Sequence, residues 1–202
     1  MATLPAATAP PVGVFSEAGR LRTVLVAAPG LAHTRLTPDT CKDLLFDEVL
    51  WVERARADHA EFRALMAGRG IEVLELQELL TAVVADPVAR DWILDRRITA
   101  NEVGRGLMVP TREWLTSLAP EQLADHLIGG VSYTELPDEF GGQFLSVLRD
   151  SLRDQREWIL PPLPNTLFMR DNSSWIYGGV TLNPMYWPAR RPETLLTAAI
   201  YR

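Results

Sequence analysis

Ile71-Glu72-Val73-Leu74-Glu75-Leu76, a short aliphatic run broken by Glu72 and Glu75 and preceded by Gly70, reads as a strand. Just before it, between Leu50 and Arg69, Val52, Ala55, His59, Phe62 and Met66 recur at helical spacing, and Gly68 and Gly70 supply the stop. Earlier still, Leu21-Arg22-Thr23-Val24-Leu25-Val26-Ala27-Ala28 is rich in β-formers and ends at Pro29-Gly30, which predicts a mostly buried strand followed by a turn. Strand, amphipathic helix and strand in that order favour an α/β architecture.

The flanks of this unit differ in texture. Residues 1–12, rich in Ala, Pro and Thr, carry too little apolar surface to offset the entropy of ordering them, so a flexible tail is expected there. Leu31 to Asp47 reads as a long connection with turn chemistry at Thr37-Pro38-Asp39 and an apolar Leu44-Leu45-Phe46, the kind of loop that closes over a site. Residues 77–157 read as an inserted helical subdomain, with helical patterns at Leu79–Val84, Val88–Ile98, Thr111–Leu118, Glu121–Leu127 and Gln143–Arg153. In residues 158–202 the strand signals return at Trp158-Ile159-Leu160, Ser174–Tyr177 and Val180–Leu182, the last two forming a hairpin around Gly178-Gly179. Residues 13–76 and 158–202 thus bracket the insertion.

With 202 residues and 47% hydrophobic composition, the chain is long enough to bury a sizeable core. Its net charge of -6 and lack of a basic run argue against a nucleic-acid partner. No apolar run approaches the roughly 20 residues needed to span a bilayer, and the start lacks a signal-peptide pattern, so a cytoplasmic protein without a membrane partner is expected. The single cysteine, Cys41, can form no internal disulfide.

Polar groups crowd the stretch from Leu163 to Thr194. Asp171 stands after Arg170 at the brink of a strand, where carboxylates are depleted; it could grip a planar guanidinium or amidine through both oxygens, or cap a turn and pair with a nearby arginine. Arg190 and Arg191 could clamp a carboxylate or phosphate, or form a solvated face with one member in an ion pair. Asn165 could present its amide to a ligand or serve an ordinary Pro-Asn turn, and Glu193 suits the N-terminus of a closing helix. Cys41 has no neighbouring histidine and reads as a small buried hydrophobe rather than a nucleophile. His33, His59 and His126 have no metal-ligand spacing, and His59 falls on the apolar stripe of its helix.

Taken in order, Leu163-Pro164-Asn165, Phe168-x-Arg170-Asp171 and Trp187-Pro188-Ala189-Arg190-Arg191-x-Glu193-Thr194 resemble the arginine deiminase family. Gly13-Val14-x-Ser16-Glu17-x-Gly19-x-Leu21-Arg22, Arg35-Leu36-Thr37-Pro38 and Leu44-Leu45-Phe46-Asp47 resemble its amino-terminal half, so the likeness runs from about Gly13 to Arg202. The resemblance implies the guanidino-group-modifying pentein superfamily: amino-terminal blades of a pentein-type α/β propeller with a helical insertion. It implies hydrolysis of L-arginine to L-citrulline and ammonia through a cysteine-bound amidino intermediate, without metal or organic cofactor. By the same resemblance Asp171 is the guanidinium-binding carboxylate and Arg190 the cation for the substrate's α-carboxylate. Asn165 and Phe168 are substrate contacts, and Leu45 meets the α-amino group through its carbonyl.

The second carboxylate, the general acid/base histidine and the nucleophilic cysteine belong to the later half of such enzymes, and Cys41 does not occupy the nucleophile's position. The 202-residue chain alone is therefore expected to be inactive, and the complete protein to be a homo-oligomer. Two alternatives compete: another pentein guanidino enzyme, either an amidinotransferase or a methylarginine hydrolase, and a non-catalytic interaction fragment.

Overall fold

The computed structural model describes residues 12–152 and 158–202. The expected tail lies outside the described residues except for Val12, as do the end of the last helical pattern at Arg153 and the insertion boundary at 157. The strand–helix–strand unit forms where the pattern places it, but the first strand is not mostly buried: Leu21 to Thr23 are exposed and Val24 to Val26 half-buried, because this strand has a strand neighbour on one side only among the described residues. Strand β1 (Thr23–Val26) pairs in parallel with β2 (Glu72–Glu75), in register Thr23 with Glu72 through Val26 with Glu75. The short helix α1 (Leu31–Thr34) and the longer α2 (Val52–Ala67) lie between them in sequence, as a parallel crossover requires. A single turn of helix at α1, inside the expected loop, is the first departure from the sequence pattern.

Helix α3 (Leu76–Ala85) begins where β2 ends, so the helical part is joined to the sheet without a linker. Four helices follow: α4 (Pro87–Arg97), α5 (Ala100–Val103), α6 (Met108–Ser117) and α7 (Pro120–Gly129). Their ends obey local chemistry. Asp86 accepts a hydrogen bond from the Ala89 backbone N–H at 3.1 Å and Pro87 opens α4, while Pro120 opens α7. Helix α8 (Asp138–Leu152) is kinked at Gly142, whose φ of 53° is outside the helical range.

Two strands were met differently. Strand β3 (Val131–Ser132) carries no pattern of its own, yet it pairs antiparallel with β4 (Trp158–Leu160), the strand expected there. The hairpin of β5 (Ser173–Ile176) and β6 (Gly179–Leu182) turns on Tyr177-Gly178, so Gly179 is the first residue of β6 rather than part of the turn. Tyr177 takes the positive φ, 52°, and its backbone exchanges two hydrogen bonds with Val14 at 2.8 and 2.9 Å, which pins the early chain to the hairpin. Helix α9 (Glu193–Ile200) follows a 3-10 turn at Pro188–Arg190.

Mixed helix and strand content thus follows the expected α/β class. The three strand pairs are each two-stranded and do not close into a propeller among the described residues. The main core lies among the helices: Leu80, Ile93, Leu94, Leu115, Leu123 and Leu127 are sealed from solvent together with Leu160 of β4 and Leu196 of α9. A smaller cluster of Leu36, Cys41 and Leu44 supports the 36–50 loop, so Cys41 is the small buried hydrophobe that the sequence suggested. Arg35 ties this loop to the helical part, donating to the Gly129 carbonyl at 3.0 Å, pairing with Glu135 and lying over the Trp158 ring.

Gly130 ends α7 with φ +82°, and a Cβ there would stand 2.5 Å from the Leu160 carbonyl oxygen. Gly130→Ala combines a left-handed backbone with a clash against β4, and a loss of at least about 1 kcal/mol is expected. Urea denaturation checks this, and an unchanged midpoint would remove the steric argument.

Candidate functional site

The site is assembled from two turns brought together at the N-terminus of α9. The 3-10 turn Pro164–Leu167 leads into residues 168–171, and the turn Pro188–Arg190 leads into Glu193, the first residue of α9. Proline at the first position of both turns presets φ and removes an N–H that would have no partner.

Arg190 is the hub. Its Nε and Nη2 donate to the two carboxylate oxygens of Glu193, both at 2.9 Å, and its Nη1 donates to Asp171 Oδ2 at 2.6 Å. Nη2 also reaches the carbonyls of Asn165 and Phe168 at 3.4 and 3.5 Å. The Glu193 side chain is 0% exposed, that of Arg190 12% and that of Asp171 48%, so one carboxylate is interior and the other faces solvent. Burial disfavours the Arg190 charge, but hydrogen bonds and charge from Glu193 and Asp171 outweigh it and raise the guanidinium above its ordinary value. Burial likewise raises the Glu193 carboxyl despite the pull of Arg190. Because both Glu193 oxygens accept from N–H donors, the pair is the ionised one, a bidentate fork.

Asn165 is buried and donates through Nδ2 to the Leu44 carbonyl at 2.6 Å, joining this cluster to the 36–50 loop. Leu45 follows with φ 61°, a left-handed conformation that costs a β-carbon residue roughly 1–3 kcal/mol and is held here by the packed loop around it. Phe168 is half exposed; its ring centroid lies 6.4 Å from that of Phe46, which lies 5.9 Å from His33. The structure therefore brings Asn165, Phe168, Asp171 and Arg190 together and sets the Leu45 turn beside them.

Asp171 and Phe168 line an open cleft of about 400 Å³. Its other wall is Leu25, Val26 and Ala27 at the end of β1, with His59 and Phe62 of α2. His59 is the satisfied boundary histidine that its helical position suggested: its Nε2 lies 2.6 Å from Glu75 Oε1. Glu75 is buried and also meets Arg63 Nε at 3.1 Å and the Ala28 N–H at 3.1 Å. Of the arginine pair, Arg190 points inward and Arg191 outward, its Nη2 reaching only the Tyr186 carbonyl at 3.4 Å. Among the described residues no group of three His, Cys, Asp or Glu side chains is placed to hold a metal ion.

Sequence reasoning missed two supports. Asn183 donates through Nδ2 to the Asp171 carbonyl and to Ser174 Oγ, each at 3.0 Å, fixing the backbone under the carboxylate. Nothing in a lone asparagine after a strand announces that. Glu193 was legible as a helix-start acid, but the Arg-x-x-Glu spacing that closes its fork with Arg190 is the stronger signal.

Residues 42–202 of this chain match the family model described as Arginine deiminase. The match covers well over half of the 202 residues and includes every residue of the Arg190 cluster, and the chain belongs to the arginine deiminase family.

Breaking the interior half of the cluster with Glu193→Ala leaves a buried guanidinium edge unpaired, and a loss of about 3–5 kcal/mol is expected. The half-exposed Asp171→Asn should lose no more than about 1 kcal/mol, so urea midpoints of the two variants separate an anchor from a surface contact. His33 gives a pH signature. It is buried, its Nδ1 accepts from the Gly30 N–H at 3.1 Å, and burial depresses its pKa below 6.5; the Pro164 carbonyl favours the charged ring, but Nε2 closes no well-formed hydrogen bond. A depressed folded value means that its stabilisation is complete above 6.5 and is lost as pH falls through the folded value. Stability should therefore decline on acidification from about pH 7, with a smaller slope in His33→Asn, as read from urea midpoints; equal slopes would show that His33 does not titrate there.

Proposed function

We propose that this chain supplies the arginine-holding part of an arginine deiminase, an enzyme that hydrolyses L-arginine to L-citrulline and ammonia through a cysteine-bound amidino intermediate. The observation that supports this most is the direct pairing of Arg190 with Asp171, a carboxylate that lines an open cleft, in a chain of that family. L-arginine carries a cationic planar fork at one end and a carboxylate at the other, and recognition of both ends needs a carboxylate and a cation within reach. In this reading Asp171 accepts the substrate guanidinium and Arg190 donates to the α-carboxylate. Asn165 and Phe168 line the substrate, and the strained Leu45 turn presents its carbonyl to the α-amino group. Attack at the guanidinium carbon requires a thiolate, and Cys41 is packed against Leu36 and Leu44 rather than facing the cleft, so it is not that nucleophile.

The β1–β2 pair and the β5–β6 hairpin then belong to successive units of a pentein-type propeller, with residues 77–157 as the helical insertion between them. The match to the arginine deiminase family favours this reaction over amidino transfer or hydrolysis of methylated arginines. No helix among the described residues is long and apolar enough to cross a membrane.

Citrulline assays and calorimetric titration of the 202-residue chain test the two parts of the proposal. The expected results are no citrulline release above background and L-arginine binding that Asp171→Asn abolishes. Citrulline release from the chain alone would overturn the exclusion of Cys41, and binding that survives Asp171→Asn would overturn the role of the carboxylate.

A further inference from the structure

We infer that Arg190 guards Asp171 and trades it for a ligand carboxylate, with Glu193 as the fixed anchor, so that the site selects ligands carrying both a guanidinium and a carboxylate. The inference rests on the guanidino-binding reading above and adds how the site distinguishes its ligands.

The two edges of the Arg190 guanidinium are held unequally. Nε and Nη2, one complete edge, belong to Glu193, whose side chain is fully buried on α9. Nη2 is further tied to the Asn165 and Phe168 carbonyls. Nη1 has a single carboxylate contact, Asp171 Oδ2, on a side chain that is half exposed. Of the two ion pairs, only the second can open without unburying a charge. Opening it moves Asp171 and leaves Arg190 where Glu193 holds it.

An arriving guanidinium competes with Arg190 for the same carboxylate, because two cations on one carboxylate repel each other. A ligand that is only a guanidinium therefore strips Arg190 of one partner and offers nothing in return. One that also carries a carboxylate refills Nη1 with a charge-assisted hydrogen bond. In L-arginine the aliphatic stem separates the two ends, so it cannot span Asp171 and Arg190 while they touch; the half-exposed Asp171 side chain must swing aside. Arg190 thus acts as an internal stand-in for the ligand guanidinium, and Glu193 as the positioning residue that keeps it in place for the exchange.

Heterotropic coupling tests this on the unaltered 202-residue chain. Methylguanidine is titrated calorimetrically in chloride and in acetate at equal ionic strength. Acetate, filling the released Nη1, should tighten methylguanidine binding severalfold, within the usual range of about 5- to 150-fold for coupled sites. A second measurement uses Arg190→Gln combined with Glu193→Gln, which removes the buried carboxylate together with its partner. Methylguanidine should bind this variant more tightly than the wild type and L-arginine more weakly, whereas a purely structural role for Arg190 would weaken both. Methylguanidine binding that acetate leaves unchanged, with L-arginine binding still abolished by Asp171→Asn, would overturn the exchange and leave the site reading standing. Failure of both guanidino compounds to bind the wild-type chain would overturn the two together.

Discussion

The bidentate pair between Arg190 and the fully buried Glu193 is the constraint on which the rest of the site depends. A carboxylate at the first position of a helix gains from the helix dipole, but that alone does not justify taking it out of water. The guanidinium does, and by lying across the helix start it gathers the carbonyls of Asn165 and Phe168 and the carboxylate of Asp171 onto one planar group. Two turns that are separate in sequence are thereby fixed in mutual orientation through the three nitrogens of one side chain.

The opposite wall of the cleft is secured by a related device. Helix α2 is anchored apolarly by Val52 and Met66 near its two ends, but in between its attachment is polar: His59 and Arg63 meet the buried Glu75, and Arg56 donates to the Pro29 carbonyl at 2.8 Å. Glu75 also accepts the Ala28 N–H, so one carboxylate ties the end of β2, the second residue after β1 and the middle of α2. Directional contacts of this sort fix rotation about the helix axis better than apolar packing does, and rotation decides which side chains of α2 reach the cleft.

Much of the architecture was legible because it rests on period. The aliphatic run in Ile71–Leu76, the helical spacing in α2 and the Pro-opened helices are local patterns, and each element formed close to where its pattern ran, although Phe62 of the α2 spacing is exposed. What was not legible depends on partners far away in the chain. The two residues of β3 form a strand because β4 lies beside them, and Tyr177 takes the positive φ at the hairpin because Gly179 is drawn into pairing with Ile176. At the site, residue types and their order pointed to Asp171, Asn165 and Arg190, but not to which arginine edge meets which carboxylate. Asn183 under Asp171 and Glu75 behind His59 were invisible for the same reason: a single polar residue acquires its role from the surface it is folded against.

The seat of α9 has a consequence for how the protein is made. Leu196 and Ala199 close the same core that α3 and α4 begin more than a hundred residues earlier. During synthesis those two helices leave the ribosome long before α9, and the part of their apolar surface that α9 covers stays open to solvent, or to a chaperone, while the intervening chain is translated. Nascent-chain vulnerability is therefore written into the order of the elements, and α9 acts as the latch that ends it.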